Sequence, residues 1–250
     1  MFIKNLKVFT VVYILSSASI HGEPEKVVID DLGREFSTEI IPRKLVSLAP
    51  SNTELLGALG LQSRLIGRTK YCNFPEDIMS IDVVAGFNTL DLEKIAALNP
   101  EVVFAIRGND LESLKGLDRL GIPVFSLDIK NLGELLNAIQ RLGVFLNVES
   151  RADSLISVFE DRIQTVRQKV GDHTERPKVM WGLGDNMFYT AGNNTIIDDV
   201  INIAGGTNVG RGAIGAWPKV GIETVLMWSP DIIITNQVEG RGEGLSEKIE

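Results

Sequence analysis

Hydrophobic and polar residues are arranged in the same way in two separate stretches of this chain, residues 92–105 and residues 222–235. In each stretch an apolar-periodic segment ends before a proline, and an acidic residue then leads into three or four β-branched or apolar residues. This pattern predicts a helix, a stop and a buried strand, because proline disfavours helical geometry at the residue before it. The duplicated stretch therefore predicts two similar lobes.

The first half of the chain is predicted to alternate between strands and helices. A small hairpin is predicted around a turn at residues 31–33, followed by short strands at residues 45–48, 65–69, 82–85, 101–106 and 123–127. Helices are predicted at residues 50–59, 111–120 and 132–142, and a hydroxyl or amide side chain before Glu54 suits the N-cap of the first one. Such alternation is typical of a mainly parallel sheet with helices on both faces.

A long helix is predicted at residues 149–170, where apolar residues recur every three or four positions before the stop at Gly171. It would span roughly 31 Å at ~1.5 Å per residue, more than a crossover within one small sheet needs, and would serve as a strut between lobes. After it, a strand is predicted at residues 178–182, a helix at residues 194–204 and a loop at residues 210–218.

The fold class predicted from these elements is α/β, with two Rossmann-like lobes built on central, mainly parallel sheets. The predicted parts are a signal peptide at 1–22, an N-terminal lobe at 23–146, an interlobe helix at 147–171 and a C-terminal lobe at 172–250. The second copy of the duplicated stretch is not followed by the helix and strand that follow the first copy. The C-terminal lobe is therefore expected to be truncated, with part of its core exposed.

The first 22 residues have the layout of a secretory signal: two lysines, a short apolar run and then small residues. The apolar run is shorter than the ~20 residues that cross a bilayer, and Pro24 argues against the alternative of a buried N-terminal helix. The single cysteine, Cys72, excludes an intrachain disulfide and a lipid-anchored cysteine near the cleavage site. We expect a soluble periplasmic protein.

Charge and motif content exclude several classes of function. The net charge of −8, with no run of basic residues, excludes nucleic acid and anionic membrane surfaces as partners. Residues 210–215 match G-x-G-x-x-G, but Pro218 follows and no helix begins there, so a ligand-facing loop is favoured over a dinucleotide site. Only His173 remains in the mature chain, so no multi-histidine metal site and no cofactor are expected. Cys72 is interpreted as a small half-buried residue rather than a nucleophile.

Two sets of residues are candidates for binding. Four aromatics lie in loops that follow predicted strands or precede the duplicated helices: Tyr71, Phe87, Tyr189 and Trp217. Each one alone could pack under its own loop, but together they indicate a ligand cleft at the carboxyl ends of the strands. The second set is one glutamate in the first turn of each duplicated helix, Glu93 and Glu223. Singly they are ordinary first-turn acids, whereas as a matched pair they predict a two-point dock for a partner with two basic patches.

Several segments, in consistent order from about residue 27 to residue 236, resemble class III substrate-binding proteins of ABC importers, and most closely the cobalamin-binding type. They are residues 46–56, 60–61, 71–75, 92–100 and 217–218. The resemblance implies two α/β lobes joined by one long helix, with a ligand clamped between them and little hinge motion.

The resemblance also implies roles for the candidate residues. Glu93 and Glu223 match glutamates that dock onto arginines of the permease dimer in the inner membrane, and Tyr71, Phe87, Tyr189 and Trp217 match positions that pack the corrinoid. Residues 106–108 fall where some members place another cleft aromatic, which is absent here. The function expected is non-enzymatic capture of cobalamin by a monomer. A ferric siderophore or haem binder is the alternative in the same class, and a secreted α/β hydrolase using His173 is the alternative outside it.

Overall fold

The structure is a computed structural model that describes residues 27–86, 89–171, 175–183 and 188–235. In these ranges the chain forms an α/β fold, as the sequence predicts, and the fold contains two five-stranded sheets. The predicted signal at residues 1–22 and the chain after residue 235, to which the expectation of a truncated lobe applies, lie outside the described residues.

The N-terminal hairpin consists of antiparallel strands β1 (Val27–Ile29) and β2 (Glu35–Ser37). Asp30, only 3% exposed, joins it to the first sheet. Its carboxylate accepts hydrogen bonds from the backbone N–H of Ser126 at 3.0 Å and from the guanidinium of Arg34 at 2.7 Å. Burial alone would raise the pKa of Asp30, but the hydrogen bonds from Ser126 and Arg34 outweigh it and hold the pKa below its ordinary value.

The first sheet is entirely parallel, with the strand order β5-β4-β3-β6-β7. Its strands are β3 (Leu45–Ser47), β4 (Leu65–Thr69), β5 (Asp82–Ala85), β6 (Val102–Ile106) and β7 (Val124–Leu127). The helices that alternate with them are α1 (Pro50–Ala58), α2 (Leu92–Leu98), α3 (Leu111–Arg119) and α4 (Leu132–Phe145). The chain runs outward from β3 to β5 and then returns to add β6 on the other side of β3. The topological switch point is therefore between β3 and β6.

Helices cover both faces of the first sheet, because its strands are buried on both sides. Along β6, Val102 and Phe104 belong to a core that includes α1, α4 and a phenylalanine cluster. Val103 and Ala105 point into a second core with α2 and α3. The alternation follows from the two-residue period of a strand.

The start of helix α1 differs from the prediction. Its N-cap is Ala49, which has no side-chain cap, rather than a hydroxyl or amide residue. The Thr53 hydroxyl points back into the core, 3.1 Å from the Ala49 carbonyl oxygen and 3.0 Å from the Cys72 sulfur. Cys72 is 1% exposed and packs in the core, so it is a packing residue as predicted but is fully buried rather than half-buried.

Helix α5 (Glu149–Val170) has the predicted bounds and contacts both sheets' helical layers. Near its start it packs closely on α4, since a Cβ added to Gly143 would lie 2.5 Å from Cβ of Ala152. At its far end Val170 packs against Gly205, where an added Cβ would lie 2.7 Å from Cγ1 of Val170. Gly205 follows helix α6 (Ile196–Ile203) of the second half.

The second sheet is mixed, which the sequence did not predict. Its strands are β8 (Lys178–Leu183), β9 (Phe188–Thr190), β10 (Thr207–Asn208), β11 (Lys219–Val220) and β12 (Ile232–Thr235). Strand β8 pairs in parallel with β10 and β12, whereas β9 runs antiparallel to both β8 and β11. At the start of the predicted loop at 210–218, residues 209–212 form a short 3-10 turn.

The duplicated stretch is confirmed as a repeat of helix and strand, but the prediction of a buried strand is wrong for the second copy. Ile232 and Ile234 of β12 are each 46% exposed, whereas β6 is buried. Helix α7 (Ile222–Trp228) precedes β12 as α2 precedes β6. Both helices end at a residue in the left-handed region, Asn99 with φ 49° and ψ 60° and Ser229 with φ 48° and ψ 62°.

In the described ranges, no helix combines the length and the apolar character needed to cross a membrane.

Candidate functional site

A cavity of about 310 Å³ lies at the carboxyl ends of the first sheet's strands, at the switch point between β3 and β6. It is lined by the last residues of β6 and β7, by residues that follow β3, β6 and β7, and by one residue of α6: Ser51, Asn52, Leu55, Ile106, Arg107, Gly108, Leu127, Asp128, Ile129, Leu135 and Ile196. Because its walls come from both halves of the chain, we call it the interlobe cleft. Open α/β sheets bind ligands at this position.

Asn109 fixes the loop that forms one wall of the interlobe cleft. Its side-chain oxygen accepts a hydrogen bond from the backbone N–H of Ile106 at 2.7 Å, and its amide donates to the carbonyl oxygen of Leu48 at 3.0 Å. The loop between them carries Arg107 and Gly108, which line the cleft. Asn109 could not be recognised from the sequence, because its partner Leu48, which follows β3, is distant in the sequence.

The cleft has apolar walls and a charged rim. Ile106, Leu127 and Ile196 are among its apolar lining residues. At the rim the guanidinium of Arg107 lies 3.3 Å from the carboxylate of Asp128, and 76% of the Arg107 side chain is exposed. This arrangement suits a ligand with a mainly apolar body that is oriented by a few polar contacts.

Two hydrogen bonds join the halves beside the cleft. The carboxylate of Asp199 on α6 accepts from the backbone N–H of Leu132, the first residue of α4, at 2.9 Å. The side-chain amide of Asn131 donates to the side-chain oxygen of Asn194 at 2.8 Å. These bonds fix the position of α6, and therefore of Ile196, relative to the first sheet.

Three of the four predicted aromatics, Tyr71, Tyr189 and Trp217, are exposed and lie outside the lining of the cavity. Tyr71 is 46% exposed in the turn after β4, with the ammonium group of Lys70 5.0 Å from its ring centroid. Tyr189 is 48% exposed and Trp217 is 53% exposed. The hydrogen bond from Thr190 N to Pro218 O brings the segments that carry Tyr189 and Trp217 together. Phe87 lies outside the described residues, and contact of the four with a ligand stays a prediction.

Glu93 and Glu223 occupy equivalent positions in the repeat. Each lies in the first turn of its helix, α2 or α7, and each is exposed. Their carboxylates are thus accessible to a partner, and their role in docking stays a prediction.

Over the described parts of the chain, no group of three or more His, Cys, Asp or Glu side chains is arranged to hold a metal ion.

The fold and the interlobe cleft agree with the protein family that the sequence matches. The model of the periplasmic binding protein family matches residues 45–249. The chain belongs to this family, and within it to the class III binding proteins of ABC importers.

Three similar proteins illustrate the relationship. A vitamin B12-binding protein of Yersinia pestis is 26% identical over 204 residues, which are 81% of this chain and 72% of that protein. The crystal structure of the periplasmic vitamin B12-binding protein BtuF of Vibrio cholerae has a TM-score of 0.69 at 26% identity, covering 78% of this chain and 77% of that one. A periplasmic heme-binding protein from Pseudomonas aeruginosa has a TM-score of 0.70 at 25% identity, covering 80% and 74%.

Proposed function

We propose that this protein captures cobalamin or a related corrinoid in the periplasm and delivers it to the permease of an ABC importer. The observation that carries this proposal is the interlobe cleft, whose walls come from the switch point of the first sheet and from Ile196 of the second half. Similarity to vitamin B12-binding proteins over most of the chain supports the choice of ligand.

A flat chelate would use the cleft and the exposed aromatics together. The cavity of about 310 Å³ takes only part of a molecule as large as a corrinoid, so the rest would extend towards the rim. The exposed rings of Tyr71, Tyr189 and Trp217, with Phe87, offer flat apolar area for this part of the ligand. Binding would involve no covalent step, and affinity would come from shape and apolar area.

Haem is the second candidate ligand. The heme-binding relative of Pseudomonas aeruginosa resembles this chain as closely as the vitamin B12-binding structure does, with TM-scores of 0.70 and 0.69. Haem is also flat and largely apolar, with polar groups at one edge. The apolar walls and charged rim of the cleft are compatible with either molecule.

Titration of the purified protein distinguishes these ligands. The chain contains three tryptophans, and Trp217 is more than half exposed, so cobalamin or haem bound nearby should quench fluorescence. We expect saturable quenching by cobalamin at one molecule per chain. Saturable quenching by haem or a ferric siderophore but not by cobalamin would assign the protein to that ligand. Absence of binding to all three would contradict the proposal.

The proposed partner is the permease dimer, contacted through Glu93 and Glu223. One exposed carboxylate from each copy of the repeat gives two separated acidic contacts, which suits a partner built from two like subunits. Exposed charges contribute modestly to affinity and more to orientation and association rate. We therefore expect these glutamates to be needed for delivery rather than for capture.

A further inference from the structure

The side-chain nitrogen of Asn52 makes no hydrogen bond within the described part of the fold. Asn52 lies in the first turn of α1, lines the interlobe cleft and is 2% exposed. The nitrogen itself is buried. Buried amides are nearly always hydrogen-bonded, because an unpaired one destabilises the folded state. An unpaired amide at a cavity wall is therefore a candidate for a bond to a ligand.

The surroundings of Asn52 favour a hydrogen-bond acceptor. Pro50, the first residue of α1, has no N–H, but the residues after it in the first turn of the helix have backbone N–H groups without partners in the helix. The helix dipole adds partial positive charge at the same end. Arg107 adds a positive charge to the lining of the cleft. The negative charge of Asp128, which also lines the cleft, is offset by two cations, Arg107 and Lys130, each at 3.3 Å.

We propose that Asn52 is a specificity-determining residue whose side-chain amide donates a hydrogen bond to an oxygen on the edge of an otherwise apolar ligand. The terminal torsion of an asparagine is soft, so the proposed bond needs only a rotation of the side-chain amide that brings its nitrogen to the ligand. This inference rests on the proposed function and deepens it by naming the ligand group and the residue that recognises it.

Two classes of chelate present such an oxygen. Haem has carboxylates at its edge, and a corrinoid has carboxamides. A hydrogen bond to a carboxylate is charge-assisted and stronger than one to a neutral carbonyl. The dependence of affinity on Asn52 should therefore be larger for haem than for cobalamin if both bind.

The test is the isosteric substitution Asn52→Leu, measured by the fluorescence titration with cobalamin and haem and by thermal unfolding. We expect the affinity for the bound probe to fall about tenfold, the effect of losing one ligand hydrogen bond. The melting temperature should stay the same or rise, because an unpaired amide is replaced by an apolar group of similar shape. A merely structural asparagine would instead lower it.

A matched control is Gln62→Met, which removes another amide with an unpaired buried atom, its side-chain oxygen, at a site outside the cleft. It should leave the affinity unchanged. A second variant, Asn52→Asp, replaces the donor by an acceptor of the same shape, and should weaken binding of haem more than binding of cobalamin.

The outcomes separate the two proposals. Unchanged affinity in Asn52→Leu, or loss of folding in that variant, would overturn the role of Asn52 while leaving the proposed function in place. Loss of affinity in Gln62→Met equal to that in Asn52→Leu would also overturn it. If the wild-type protein binds neither probe, the proposed ligand class is refuted, and the inference about Asn52 is refuted with it.

Discussion

Replacing Asp199 with alanine removes a hydrogen bond that holds the two halves of the protein together. The carboxylate of Asp199 on α6 accepts from the N–H of Leu132 at the start of α4, at 2.9 Å. Leu135 on α4 and Ile196 on α6 both line the interlobe cleft. The substitution should therefore affect both stability and ligand binding.

The size of the effect follows from the charge of the acceptor. A hydrogen bond to a charged group contributes about 1.5–3 kcal/mol when buried, and Asp199 is only half-buried, so the lower part of that range applies. We expect Asp199→Ala to lose about 2 kcal/mol, which lowers the melting temperature by roughly 4–8 °C for a chain of this size. Asp199→Asn keeps a neutral acceptor and should lose about half as much.

The assay is thermal unfolding followed by circular dichroism, together with the fluorescence titration of each variant. Asp161→Ala, which removes an exposed acid from α5, is the charge-matched control and should change neither quantity. The affinity of Asp199→Ala should fall several-fold, because the cleft walls are less well fixed before the ligand binds. Equal melting temperatures for Asp199→Ala and Asp161→Ala would refute the reasoning.

Three further predictions follow from other sites. The double substitution Glu93→Ala with Glu223→Ala should leave ligand affinity intact and abolish uptake by cells. Gly192→Ala should cost about 1–3 kcal/mol of folding free energy through overpacking, because the new Cβ would lie 2.1 Å from the carbonyl oxygen of Gly215, and thermal unfolding measures it. Asp30, whose pKa is lowered in the folded state, stabilises the fold above its unfolded pKa of ~3.9 and loses this effect as pH falls below that value. The stability difference between wild type and Asp30→Asn in urea should therefore shrink below about pH 4.

Each of these predictions has an outcome that contradicts it. Loss of ligand binding in the double glutamate variant would place those carboxylates at the ligand instead of the permease. Gly212→Ala is the control for Gly192, because its Cβ would meet no atom within 4 Å, and equal melting temperatures for the two would refute the close contact. A stability difference for Asp30 that grows as the pH falls would contradict the sign of its pKa shift.

The elements of the repeat could be predicted because their signals are local. The helix that contains Glu93 and the helix that contains Glu223 each end at the residue immediately before a proline. In the structure Asn99 and Ser229 adopt the same left-handed conformation at these points. The spacing of apolar residues likewise gave the bounds of α5, because one face of that helix packs against the rest of the protein.

The residues that line the interlobe cleft and the mixed pairing of the second sheet could not be predicted in this way. Strands β10 and β11 have two residues each and β9 has three, too few for a two-residue period to be recognised. Asn52 and Ile196 line the same cavity only because of how the two halves pack, which leaves no periodic signal in either segment. The sequence shows that Asn52 follows the first buried strand of the sheet, but only the structure shows that its side-chain nitrogen is buried without a hydrogen-bond partner among the described residues.

The most direct test of the central claim, that a ligand is held between the two halves, is a crystal structure of the protein with the probe that binds most tightly. We predict that the ligand lies in the interlobe cleft, in contact with both Ile106 and Ile196. An oxygen at the ligand's edge should lie within hydrogen-bonding distance of the Asn52 amide. A ligand bound elsewhere, with the cleft between Ile106 and Ile196 unoccupied, would contradict the claim.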